Sequence, residues 1–156
     1  MAVLNPIKEV LKESNIKYLT DSNGEVIIKF LTQFEPIEIR LKNDRKLNCI
    51  HFLAPKLVLL KHLLKKDRIK INEFLSYMNS GRMLYGNFGL QKIENKAYHI
   101  FYTYSVSLES RKIKHEELID YISYIVAAYE KLCENLDMIR EDEIDFDFDR
   151  LVEYGE

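Results

Sequence analysis

A chain of 156 residues has room for one domain with a sizeable hydrophobic core and is short for two. Its 47% apolar and 31% charged content excludes a disordered polymer, and no window holds the ~18–20 apolar residues of a membrane span. The formal charge of -2 hides a division: residues 137–156 carry nine acids against two bases, so the body before them is net basic, and an acidic tail argues against a nucleic-acid partner.

Asn5-Pro6 marks a helix start, with Asn5 as N-cap and Pro6 at the first helical position, where its missing N–H costs nothing. Ile7, Val10 and Leu11 give that helix one apolar face before it ends near Asn15. An extended segment over 18–21 turns at Ser22-Asn23-Gly24 and returns over 26–31, since Asn-Gly between apolar runs is a strong hairpin signal. After Glu35-Pro36, Ile37, Ile39 and Leu41 alternate with Glu38, Arg40 and Lys42, the pattern of a strand with one wet face. Asn43-Asp44 reads as a turn, 47–53 as a mostly apolar central strand, and Pro55 as its end. Leu57, Leu60, Leu63 and Leu64 then fall at helical spacing, and we read helix there over an irregular connector.

Ile71, Phe74, Leu75 and Met78 form a cleaner helical stripe, stopped by Asn79-Ser80-Gly81. A Gly-punctuated strand over 83–90 and an alternating strand over 98–108 follow. One long amphipathic helix over 114–136 presents Leu118, Ile122, Ile125, Val126, Tyr129, Leu132 and Cys133 on one side. The order gives an α+β class: an antiparallel sheet with an N-terminal helix, a middle helix and a long C-terminal helix, in one domain over 1–136 with an acidic tail over 137–156.

Little in the chain carries chemistry. Cys49 and Cys133 form no CxxC-type pair, and the N-terminus lacks a basic segment followed by an apolar core, so we read reduced thiols and a cytoplasmic protein. His51, His62, His99 and His115 sit on different elements without HxH or HExxH spacing, and no metal or cofactor is expected. Cys49 and His51 share a strand face, but a thiol enzyme also needs a group to orient the base, and no local signature supplies one. Asp145-Phe146-Asp147-Phe148-Asp149 imitates the start of a calcium loop, yet its sixth position is Arg150 where glycine is required. We read it as an acidic segment anchored by Ile144, Phe148 and Leu151, which either docks on the domain or solvates it. Gly81, Gly86 and Gly89 make no phosphate loop; within a strand, Gly86 and Gly89 mark a bulge or a close backbone approach. Tyr98, Tyr102 and Tyr104 share one strand face, and Tyr121 and Tyr124 flank the stripe of the long helix. Without interleaved basic residues such aromatics serve as core or as a protein interface.

Phe74-Leu75-x-x-Met78-Asn79, then Gly86-Asn87-Phe88-Gly89-Leu90, the alternating strand to Leu108, and Glu117-Leu118-Ile119 at the opening of the last helix resemble the YbjN-like family. That family's domain shares the fold of type III secretion chaperones. The resemblance spans about residues 5 to 136 and implies a strongly bent antiparallel sheet, frequent dimers, and a role in protein binding or regulation without enzyme activity. The sequence therefore reads as a cytoplasmic, non-enzymatic protein-binding module and homodimer, with Tyr98, Tyr102, Tyr104, Tyr121 and Tyr124 as contact residues and no membrane or nucleic-acid partner. The alternative is a small-molecule or catalytic domain with a pocket between the sheet and the long helix.

Overall fold

Alternation builds the sheet. Ile37, Ile39 and Leu41 of β3 (Ile37–Asp44) point inward and are buried, while Glu38, Arg40 and Lys42 face outward. In the computed structural model, which describes residues 4–94, 97–109 and 111–141, the chain runs α1 (Leu4–Glu13), β1 (Tyr18–Thr20), β2 (Val26–Phe30), β3, β4 (Cys49–Leu60), α2 (Lys65–Asn79), β5 (Asn87–Glu94), β6 (Ala97–Ser107) and α3 (His115–Glu141). The six strands form one open antiparallel sheet in the order β1-β2-β3-β4-β6-β5, and the three helices complete the α+β class expected from the sequence.

Three boundaries differ from the sequence reading. No helix spans 57–64: β4 continues past Pro55 to Leu60, pairing Val58 with Ile100, Leu59 with His99 and Leu60 with Tyr98. The ladder shifts register between Ala54 and Val58, and Lys56 in that gap has φ 50°. Proline cannot donate to a ladder, so it is tolerated at a bulge, and the bulge bends the strand locally. Leucine spacing mimicked a helix, while burial of Leu57 and Leu60 and pairing with β6 decided for strand. The middle helix starts earlier, at Lys65, and β5 begins only at Asn87, after a loop. The acidic-tail residues Ile144, Phe148 and Leu151, and the calcium-like run, lie outside the described residues.

One face of the sheet carries the core. Ile28, Ile39, Ile50, Phe52 and Tyr102 pack against Ile7 and Leu11 of α1, Phe74 of α2, and Leu118, Ile125, Tyr129 and Leu132 of α3. Aromatic rings make the join with α3: Tyr121 meets Phe52 at 5.6 Å, Tyr104 at 5.2 Å and Tyr85 at 5.0 Å between centroids, all near edge-to-face. Edge-to-face pairs align ring edges with the negative faces and add to what burial alone contributes.

Side chains fasten the ends. Asn79 closes α2 against β5, its amide nitrogen donating to the Phe88 carbonyl at 2.8 Å and its oxygen accepting from the Phe88 N–H at 3.0 Å. That amide occupies backbone groups which an edge strand would otherwise offer to another chain. Glu117 reaches back to the Lys114 N–H at the start of α3, half of a capping box, and takes two hydrogen bonds from Arg111 at 2.8 and 3.0 Å and one from the Tyr121 hydroxyl at 3.0 Å.

Both glycines that punctuate 83–90 are close approaches. A Cβ on Gly89 would enter the Phe101 ring, and one on Gly86, whose φ is 73°, would collide with the Tyr102 hydroxyl and the Thr103 carbonyl. We expect Gly86→Ala to destabilise the fold by about 1–3 kcal/mol, measured by urea denaturation, because both conformation and space oppose it.

The Arg111 hydrogen bond, more than that of Tyr121, holds the Glu117 carboxyl below its ordinary 4.5 against an opposing push from burial. A depressed acid contributes stability above its unfolded value and loses it as pH falls through the folded one. Glu117→Gln should therefore flatten the decline of stability below about pH 4.5, by under about 1 kcal/mol because Arg111 is largely solvated.

Candidate functional site

The face of the sheet opposite the helices has no covering layer among the described residues. Register lays its centre out in three cross-strand rows. Arg40 lies opposite Leu53 and Leu53 opposite Thr103; Lys42, His51 and Ser105 form the next row, and Asp44, Cys49 and Ser107 the third. Outward alternation on β3, β4 and β6 puts all nine on one face.

The polar cluster centres on His51. Its Nδ1 lies 2.6 Å from Ser105 Oγ, and its Nε2 lies 3.3 Å from Asp44 Oδ2 and 3.5 Å from Cys49 Sγ. Asp44 is fixed from below, its Oδ1 accepting from the N–H groups of Lys46 at 3.0 Å and Leu47 at 3.1 Å. These bonds, that from Leu47 first, hold the Asp44 carboxyl below its ordinary value. Beside the cluster a cleft of about 270 Å³ is lined by Glu25, Arg40, Lys42, His51, Leu53 and Thr103. Arg40 anchors its rim with Glu38 at 3.0 Å, Glu25 at 3.5 Å and Asp21 at 3.7 Å.

A Cys-His-Asp relay needs the thiol on one imidazole nitrogen and the carboxylate on the other. Here Asp44 and Cys49 face the same nitrogen, and burial, followed by the Asp44 charge, pushes the Cys49 thiol up from its ordinary value. The arrangement does not activate sulfur. Cys49 should react with iodoacetamide at neutral pH more slowly than a small free thiol and faster as pH rises, which peptide mass spectrometry would follow.

The donor atoms of Asp44, Cys49 and His51 all lie within 4.8 Å of one another, the one such group among the described residues. The sequence showed that Cys49 and His51 share a face. It does not show Asp44, whose Asn43-Asp44 pair has the composition of a turn but which ends β3 directly opposite Cys49. The other histidines stand apart from this cluster. His62 is exposed, His115 meets Ser14 Oγ at 2.6 Å, and His99 meets Gln91 at 2.9 Å, with burial and then Lys56 pushing its imidazole down.

The expected contact tyrosines lie on the inner face and on α3. Tyr98, Tyr102 and Tyr121 are buried; Tyr104 and Tyr124 are half-buried. Their hydroxyls are engaged within the domain: Tyr98 accepts from Arg68 at 2.7 Å, Tyr102 donates to the Tyr85 carbonyl at 2.7 Å, and Tyr124 accepts from the Leu84 N–H at 2.8 Å. Beside α3, a cleft of about 300 Å³ opens between α2 and the 82–84 loop, lined by Met78, Arg82, Leu84, Tyr124 and Ala128.

No family model matches the chain, and no curated protein does. Among solved structures, the crystal structure of YbjN from E. coli, described as a proposed transcription regulator, is similar with a TM-score of 0.55 at 12% identity, covering 85% of this chain and 87% of that one. The fold is YbjN-like. At that identity the likeness concerns backbone architecture, and the His51 cluster stands on this chain's own residues.

Proposed function

We propose that this chain is a non-enzymatic protein-binding module, chaperone-like or regulatory, which engages its partner through the open face of the sheet. The observation that carries the reading is the open face itself: a six-stranded sheet packed on one side by three helices and, among the described residues, uncovered on the other, with Leu53 36% exposed at its centre. Arg40 and Lys42 alternate there with Glu25, Glu38 and Asp44, so a phosphate backbone would meet both signs of charge, whereas a protein surface can match them. YbjN, whose fold is similar, is described as a proposed transcription regulator, which is compatible with the regulatory form of this reading. Tyr104, Tyr121 and Tyr124 serve that face from beneath by joining the sheet and the loop before β5 to α3, while Tyr98 ties the sheet to Arg68 of α2 and Tyr102 ties it to Tyr85 and Phe88. The setting we assign is the cytoplasm, which suits two thiols in no disulfide; no described helix is long and apolar enough to cross a membrane. We extend the proposal to a homodimer.

Affinity capture from native lysate with wild type, Leu53→Asp and Glu134→Lys tests it. Glu134 is exposed on α3, away from the sheet's open face. A partner held by wild type and Glu134→Lys but weakened about tenfold or more by Leu53→Asp is the expected outcome. Equal retention by all three overturns the docking face, and a monomer mass in light scattering at high micromolar concentration overturns the dimer.

A further inference from the structure

We propose that Asp44, Cys49 and His51 form a binding site for one divalent transition-metal ion of the zinc type, at the end of the β3–β4 hairpin, with its fourth coordination position open to the solvent-facing side of the sheet. The proposal is independent of the docking reading.

Donor chemistry comes first. A carboxylate, a thiolate and an imidazole together make the mixed O/S/N set that zinc accepts, and the two anions balance a dication. Geometry comes second. Tetrahedral bonds of about 2.0–2.1 Å to oxygen and nitrogen and about 2.3 Å to sulfur place an O–N pair about 3.3 Å apart and an N–S pair about 3.6 Å apart. The observed separations from His51 Nε2 are 3.3 Å to Asp44 Oδ2 and 3.5 Å to Cys49 Sγ. One nitrogen cannot direct a single proton along both lines, whereas a cation between the three atoms satisfies all of them.

The support around the trio points the same way. Metal-ligating histidines usually donate their second N–H to an oriented acceptor, and His51 has Ser105 Oγ at 2.6 Å from Nδ1. Asp44 keeps one oxygen on the backbone of the 45–48 turn, which leaves Oδ2 aimed at the cluster. Asp44 and Cys49 are direct cross-strand partners and His51 lies on the same face of β4, so three ligands come from a single hairpin, their donor atoms within 4.8 Å of one another and within reach of one ion by side-chain adjustment alone. On binding, the metal replaces the thiol proton of Cys49, which passes to solvent, and the cation sits on a neutral imidazole, a carboxylate and a thiolate.

The test is cobalt(II) titration of the full-length protein, followed by zinc displacement. The acidic tail can attract cations through oxygen alone, so the diagnostic signal is the near-ultraviolet thiolate-to-cobalt charge-transfer band, which requires sulfur. The expected result is a band that saturates at one equivalent, is lost on adding zinc, persists in Cys133→Ser and disappears in Cys49→Ser. Ser105→Ala should weaken binding about 10–100-fold by releasing the imidazole. Absence of the band from wild type, or its survival in Cys49→Ser, overturns the proposal. Should circular dichroism show Cys49→Ser unfolded, Asp44→Asn decides: it keeps an oxygen for the turn, and cobalt affinity unchanged from wild type would overturn the site.

Discussion

The structure depends on β4 being paired on both sides. β3 flanks one edge and β6 the other over residues 49–53, so this part of the strand is paired on both sides and must sort its side chains strictly by face. Ile50, Phe52 and Ala54 go inward and are fully or almost fully buried, while Cys49, His51 and Leu53 go outward. A one-residue slip would exchange the two sets and drive His51 into the core. The inward set gives α3 an apolar floor, and the outward set lands in register with Asp44, Ser105 and Thr103. Core and candidate site are two faces of the same register.

That double duty explains the bulge. Beyond Ala54 the chain must pass Pro55, which has no N–H for the ladder, and still return Leu57 and Leu60 to the core. Taking the unpaired residues between Ala54 and Val58, with Lys56 in the left-handed region, permits both. At the far edge the solution is different. β5 is an edge strand, and the Asn79 amide pairs with Phe88 where another chain's backbone could bind, while Lys92 and Glu94 charge its outer end. Edge-to-edge association through Phe88 is thereby discouraged.

The electrostatics of the open face are local. Arg40 is held by three carboxylates, and Asp44 by the turn and by His51, so neither sign dominates a large area. Such a surface favours recognition by matched shape and charge over attraction at a distance.

What the sequence determined by itself was most of the order of elements and most of the alternation. Asn23-Gly24, the β3 pattern, the stripes of α2 and α3, and close approach at Gly86 and Gly89 are local signals with local causes, and they were legible. The common strand face of Tyr98, Tyr102 and Tyr104 followed from period, and so did the common face of Cys49 and His51. Tertiary structure decided the rest. Leucines over 57–64 suit helix or strand equally, and only the neighbouring β6 ladder selects strand. Whether the tyrosines lie in the core or on a surface depends on where α3 crosses the sheet. Asp44 and Ser105 reach His51 from different strands because hairpin register and the β4–β6 ladder bring them there, and register is set by the burial of the opposite face, which no single segment contains.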